Sequence, residues 1–188
     1  MKNPIYRTTI ALTLLVIIFC QYSIAQTKYI DRSGKVQFEA SQALFEEVKA
    51  INKSVTGILE TETGQIAALA LIKGFHFKNS LMEEHFNENY MASESYPKAT
   101  FKGLFSNLNM DTLDENIQKV MVKGTLELHG KAKEIHTPLS LQKIGEIISI
   151  TGEFLVTPAD FDIQIPKIVE NKIAKEVLIK IDLKLTKK

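Results

Sequence analysis

The sequence predicts an all-β protein, an antiparallel β-barrel of about eight strands with a short covering helix. Apolar and polar residues alternate along several stretches, as side chains do along a half-buried strand. Polar or glycine-containing turns separate those stretches, as in hairpins. The chain has 188 residues, of which 45% are hydrophobic and 24% charged. These values are typical of one globular domain that stabilises itself by burying its own core.

The clearest pair of strands lies in residues 118–144. Val120, Val122, Gly124, Leu126 and Leu128 alternate with polar or exposed-type residues, and the alternation resumes from residue 135 to residue 141. This pattern predicts a long hairpin whose apolar face lines the barrel interior. Glycine on that face is expected to leave space for a ligand.

Other strands follow from the same alternation. They are predicted around Val36 and Phe38 and over residues 55–60, 66–77, 147–156 and 177–185, and one more begins at Pro97. Residues 44–52 are ambiguous, because their apolar residues fit either a helical face or a strand. Residues 66–77 are apolar on both faces, which predicts that something covers the outer face of that strand.

The covering helix is expected just after residue 78. Asn79 or Ser80 is a suitable N-cap, and Glu83 and Glu84 fall in the first turn, where the helix dipole favours them. Apolar residues then recur at helical spacing as far as Tyr90.

The N-terminus predicts a secretory signal peptide over residues 1–25. Lys2 and Arg7 precede an apolar run that is short for a membrane span, and Ser23 and Ala25 are small residues suited to a cleavage site. The mature domain is then residues 26–188, located in the periplasm or secreted. The alternatives are an uncleaved anchor and a lipoprotein attached through Cys20, although bulky residues precede that cysteine.

Charge excludes one class of partner. Residues 1–25 contain two basic residues and no acidic one, so the mature chain has 21 basic and 22 acidic residues. Nothing resembles the concentrated basic surface that phosphate backbones require, and nucleic acid is therefore not expected as a partner. Cys20 is the single cysteine, so a mature chain without it has no disulfide.

Several segments together resemble the YceI-like family. They are Tyr-Ile-Asp and Val-x-Phe within residues 29–38, Met-x-x-His-Phe from Met82 followed by Tyr-Pro-x-Ala-x-Phe, Gly-Thr-Leu-x-Leu-His-Gly from Gly124, and Asp-Phe-Asp-Ile from Asp160. Asp162 stands where that family usually has glycine. The resemblance covers about residues 29–186. It implies a lipocalin-like barrel, secretion by a bacterium, and polyisoprenoid or quinone-like ligands.

No catalytic residue is predicted, and no enzymatic activity, because the nucleophile, zinc and phosphate-binding motifs are missing. His129 and His136 would face each other if the hairpin turn lay between Ala132 and Lys133, and could then hold a metal. No third ligand is evident, so the favoured reading is that the chain has no metal site.

The resulting hypothesis is a lipid-binding protein that holds a polyisoprenoid, an isoprenoid quinone or a fatty chain inside the barrel. No cofactor is expected apart from such a bound lipid. The alternative is a filled barrel that binds a protein of the cell envelope, and a homodimer is also considered. The residues expected to line the ligand cavity are Phe38, Met82, Phe86, Phe101, Val122, Leu126, Ile150, Phe154 and Phe161.

Overall fold

The computed structural model describes residues 27–42 and 45–188. These residues form nine β-strands and one short α-helix. The strands are β1 (Lys28–Ser41), β2 (Lys49–Glu60), β3 (Gln65–Leu71), β4 (His76–Phe77), β5 (Lys98–Phe105), β6 (Gln118–Leu128), β7 (Lys131–Ile144), β8 (Ile147–Val156) and β9 (Ile173–Lys187), and the helix is α1 (Ser80–His85). A π-helical turn, Phe86–Tyr90, continues α1.

The strands form a closed antiparallel barrel. Their order is β1-β9-β8-β7-β6-β5-β3-β2, and β2 pairs again with β1, while the two-residue β4 adds to β2. Closure leaves none of these eight strands with an unpaired edge. The predicted barrel of about eight strands with a short helix is confirmed.

One buried carboxylate joins the strands at the seam of the barrel. β1 contains a bulge between Ile30 and Lys35, which interrupts its pairing with β9. At this gap Asp31 accepts hydrogen bonds from the backbone N–H of Lys184 at 2.7 Å and of Ser33 at 2.8 Å. The side chain thus replaces ladder hydrogen bonds that the bulge removes.

The two ends of the barrel differ. At one end, which we call the closed end, large apolar side chains fill the interior; they include Leu59, Phe105, Leu141, Ile148, Ile150 and Leu185. The other end carries the segments 42–48, 72–97, 129–130 and 157–172. The first and last described strands meet at the closed end, where Lys188 N–H donates to the carbonyl oxygen of Lys28 at 2.9 Å.

The structure corrects one predicted strand and resolves one segment that the sequence left ambiguous. The segment 66–77 is not one strand: a single 3-10 turn, Ile72–Gly74, separates β3 from β4. Ile72 and Phe75 are consequently both buried although alternation places them on opposite faces. Residues 49–52 are part of β2, which resolves the ambiguity of segment 44–52 in favour of a strand.

The hairpin turn also lies elsewhere than expected. His129 and Gly130 form a two-residue turn with φ of 50° and 72°. Positive φ at both positions is the type I′ geometry that matches the twist of the flanking strands. Lys123 is therefore the cross-strand partner of His136, and the two histidines do not face each other.

The helix begins as predicted. The side chain of Asn79 accepts hydrogen bonds from the backbone N–H groups of Leu81 and Met82, which makes it the N-cap. Glu83 turns back and accepts from the N–H of Phe77 at 3.0 Å, and its other oxygen lies 3.2 Å from His76 Nδ1. These contacts tie α1 to β4.

The interior glycines do not leave space for a ligand, contrary to expectation. A Cβ at Gly124 would lie 2.5 Å from both Phe101 Cζ and the carbonyl oxygen of Lys102, and one at Gly152 would lie 2.5 Å from Leu139 Cδ2. The missing side chains accommodate Phe101 and Leu139, so large residues already occupy the volume that the glycines leave.

The predicted signal peptide, residues 1–25, lies outside the described residues. Within residues 27–42 and 45–188, no helix has the length and apolar character needed to cross a membrane.

The close approach at Gly124 predicts that Gly124→Ala destabilises the fold. Because two of the three clashing atoms, the carbonyl oxygen of Lys102 and the Cα of Gly103, belong to the backbone, the strands must shift. Overpacking of this kind costs about 1–3 kcal/mol. Urea denaturation measures the loss. Thr125→Ala, at the neighbouring exposed position, is the control and should stay within about 0.5 kcal/mol of the native protein. Equal stability of the native and Gly124→Ala proteins would contradict this packing.

Candidate ligand-binding cavity

A cavity of about 510 Å³ occupies the barrel above the filled end. This volume is within the range of sites that hold small organic ligands. On β9 its lining residues extend from Ile173 to Leu183, and the part from Val177 to Leu183 alone corresponds to about 20 Å of strand. The cavity is therefore elongated, and it contradicts the filled interior required by the protein-interaction alternative.

Eight of the nine predicted wall residues line this cavity. They are Phe38, Met82, Phe86, Phe101, Val122, Leu126, Phe154 and Phe161. Ile150 is not among the lining residues; it has no exposed surface and packs in the filled end. Its inward face was predicted correctly, but its height along the barrel axis was not. Whether the eight residues contact a ligand remains a prediction.

Four phenylalanines form one side of the cavity. Phe38 of β1 contacts Phe75, Phe77 and Phe86, with ring centroids 5.5, 5.6 and 5.2 Å away. Phe86 also lies 5.3 Å from Phe77 and 6.0 Å from Phe75. Such separations favour aromatic pairs beyond their buried area. The cluster attaches the segment after α1 to the barrel wall, so that segment is a fixed part of the cavity.

Together with Val55, Val122 and Leu139, the floor of the cavity contains Leu183. This side chain is buried and belongs both to the cavity lining and to the core of the filled end. Two neighbouring glycines make room for it: a Cβ at Gly34 would lie 2.4 Å from Leu183 Cδ2, and one at Gly57 would lie 2.9 Å from Leu183 Cδ1.

The mouth lies at the other end, between three segments. Phe45 and Glu46 come from the segment before β2, Met82 and His85 from α1, and a third set, Ile165, Val169 and Lys172, from the segment before β9. Charged residues in the lining therefore belong to the mouth segments. A ligand with a polar head and an apolar tail would fit with its head at this end.

Few polar groups line the interior. Thr100, Thr137 and Tyr90 are among them, and Thr137 is buried. Burial raises the pKa of the Tyr90 phenol above its ordinary value, so it stays protonated. Among the described residues that line the cavity, none form a pair of ionisable groups in the interior suited to acid–base chemistry. The cavity offers an apolar surface for dispersion and the hydrophobic effect.

The turn between β6 and β7 is fastened to the segment that follows β8. His129 Nδ1 lies 3.0 Å from the carbonyl oxygen of Phe161, and the Tyr96 ring packs 4.5 Å from the imidazole. Lys131 Nζ lies 2.8 Å from Asp162 and holds the pKa of that carboxyl below its usual range, mainly through this hydrogen bond. Phe161 is thereby held in the cavity wall.

Asp162 has a left-handed backbone with φ of 55° and ψ of 25°. Glycine adopts this conformation most easily, while aspartate tolerates it better than most residues. The replacement of glycine that the sequence pattern indicated therefore keeps the turn, and the aspartate gains the ion pair with Lys131.

The metal hypothesis built on His129 and His136 is wrong in its geometry. His129 is committed to the Phe161 carbonyl, and His136 is exposed beside Lys123. Among the described residues, no group of three or more His, Cys, Asp or Glu side chains is close enough to hold a metal ion.

Sequence reasoning missed two parts of the cavity. Phe75 and Phe77 line it, but the phase change at Ile72–Gly74 concealed which face they occupy. The residues of segment 157–172 had no periodic pattern that would place them at the mouth. The signal available in the sequence was the run Ile165-Pro166-Lys167-Ile168-Val169. Connections usually lie on the surface, so several apolar residues in a long connection indicate that it packs against another part of the protein.

Comparison with known proteins identifies the architecture. The chain is similar to a polyisoprenoid binding domain from Saccharophagus degradans implicated in plant cell wall breakdown, with a TM-score of 0.76, 17% identity, and coverage of 87% of this chain and 99% of that one. For Burkholderia cenocepacia BcnA the TM-score is 0.64 and the identity 17%, with coverage of 82% of this chain and 98% of that one. For the Campylobacter jejuni YCEI protein the TM-score is 0.63 and the identity 14%, with coverage of 78% of this chain and 89% of that one.

At these identities the structural likeness shows the fold alone. None of the curated proteins matches this sequence. The YceI-like domain family, in contrast, matches residues 29–185, which is well over half of the chain. The chain therefore belongs to the YceI-like family.

Proposed function

We propose that this protein binds a long apolar lipid, namely a polyisoprenoid, an isoprenoid quinone or a fatty chain, inside its barrel. The observation that carries the proposal is the elongated cavity of about 510 Å³ with an almost entirely apolar lining and a mouth at one end. Each methylene transferred from water into such a cavity contributes about 0.8 kcal/mol. A chain lipid uses that surface along its whole length, whereas a polar metabolite would leave its groups unpaired.

The comparisons support the same ligand class. The Saccharophagus degradans domain, which shares the fold over 87% of this chain, is described as polyisoprenoid binding. The proposed role is binding without catalysis, because the polar groups in the interior are two threonines and a protonated tyrosine rather than an acid–base pair. The mouth segments carry Glu46, His85 and Lys172, which suit the polar head of an amphiphile.

We further propose that the protein acts outside the cytoplasm, after cleavage between Ala25 and Gln26. The basic start, the apolar run and the small residues before Gln26 support this location.

Protein purified from a bacterial periplasm is expected to contain the lipid. Organic extraction followed by mass spectrometry should release a chain lipid in near-stoichiometric amount, and native mass spectrometry should show the same mass on the intact protein. Stripped protein should take up an isoprenoid quinone when it is offered. Protein that is ligand-free as isolated and takes up neither quinone nor fatty chain would overturn the proposal.

Filling part of the cavity should weaken binding without unfolding the barrel. Ala68→Phe places a ring in the cavity beside Phe101, its cross-strand partner. We expect at least a tenfold weaker Kd for quinone, about 1.4 kcal/mol, with unchanged or higher Tm. Ala67→Phe, on the opposite face of the same strand, is the control and should bind as the native protein does. Equal affinity of the two variants would place the ligand elsewhere.

The proposed location predicts the mass of the exported protein. When the full chain is expressed in a bacterium, the mature form should begin at Gln26, because cleavage follows Ala25. N-terminal peptide sequencing by mass spectrometry distinguishes this product from an intact chain. Ala25→Arg should block processing and serves as the control. A native chain that keeps residues 1–25 would instead support an uncleaved anchor.

A further inference from the structure

The rim of the cavity mouth has exposed apolar side chains on all three of its segments. Ile168, in the segment before β9, is 84% exposed, Leu81 on α1 is 56% exposed, and Phe45, before β2, is 45% exposed. Single exposed apolar residues are common on protein surfaces. Here, however, each belongs to a different segment, and the three segments share one opening.

The rim is continuous with the apolar lining of the cavity. Phe45 itself lines the cavity, Ile168 directly precedes the lining residue Val169, and Leu81 directly precedes the lining residue Met82. An apolar surface thus continues from the cavity lining to the outside of the molecule, beside the charged mouth residues Glu46, His85 and Lys172.

The charges at the rim favour no strongly charged partner. Glu47 is paired with Lys78 at 2.7 Å and with Lys49 at 3.7 Å. Around Ile168 the sequence carries Lys167, Glu170 and Lys172, which are of both signs. A partner recognised by charge would need a concentrated patch of one sign.

The proposed ligand itself imposes a requirement. A long apolar chain resides in a bilayer, and each of its methylenes adds to the barrier for crossing water. Exchange is faster when the cavity mouth meets the bilayer directly, because the chain then moves from one apolar environment to another.

We propose that the cavity mouth docks on the surface of a phospholipid bilayer, with Ile168, Leu81 and Phe45 inserted among the lipids. The inference rests on the proposed lipid-binding function. Three side chains offer less apolar surface than one acyl anchor, which by itself binds membranes only marginally. Docking is therefore weak and reversible, as suits a protein that must leave with its ligand.

A tryptophan probe tests docking without reference to the ligand. The chain contains no tryptophan, so Ile168→Trp provides a single fluorophore at the rim. Vesicles of phosphatidylcholine and phosphatidylglycerol should shift its emission to the blue, and brominated lipids should quench it. Ile117→Trp is the matched control: that residue is 67% exposed at the closed end, and its emission should not change. Identical behaviour of the two probes would overturn the docking proposal.

A transfer assay connects docking with exchange. The double variant Leu81→Ser/Ile168→Ser changes rim residues that do not line the cavity. It should take up detergent-dispersed quinone as the native protein does, but extract quinone from vesicles about tenfold more slowly, because the inserted apolar surface is lost. Ile117→Ser/Ile144→Ser, at the closed end, should extract it at the native rate.

The two assays separate the two proposals. Failure of the native protein to take up dispersed quinone or a fatty chain counts against lipid binding, while the Ile168→Trp signal still decides docking. Normal uptake, together with a silent probe and equal extraction rates for both double variants, counts against the bilayer and in favour of another partner.

Discussion

The barrel depends on its first strand, because β1 is hydrogen-bonded to β2 along one edge and to β9 along the other. These pairings connect the two ends of the chain and remove the free edges that an open sheet would present. Asp31 supports the seam where the bulge interrupts the ladder. Since the backbone groups of the wall satisfy one another around the circumference, the interior has no need of polar partners and can be apolar throughout.

Within this wall the interior has two parts, a filled end and a cavity. The filled end contains fully buried leucine and isoleucine side chains, whose burial stabilises the fold through the hydrophobic effect. The other end has a cavity, which forfeits dispersion contacts that a packed core would make. The phenylalanine cluster around Phe38 compensates locally by fixing the segment after α1 to the wall. The segment after α1 is therefore a fixed part of the cavity wall.

Alternation in the sequence, together with the resemblance to the YceI-like family, predicted the barrel, and alternation indicated the inward face of several strands. Alternation does not show how far along the barrel axis a residue lies. Ile150 was therefore predicted to line the cavity, whereas it packs in the filled end. The pattern fails where the phase changes, as at Ile72–Gly74. It also cannot show what occupies the space beside a small residue: Phe101 covers Gly124. That information depends on contacts between strands far apart in sequence.

Leu183 is one of the buried side chains at the floor of the cavity, together with Val55, Val122 and Leu139. It occupies room left by Gly34 and Gly57, so this position contributes to the depth of the cavity. A smaller residue there would deepen the cavity, and a larger one would make it shallower, while the hydrogen-bonded wall stayed the same. Under the proposed lipid-binding function, the chain length that fits can thus differ between related proteins through substitutions at the floor, without selection having to rebuild the barrel.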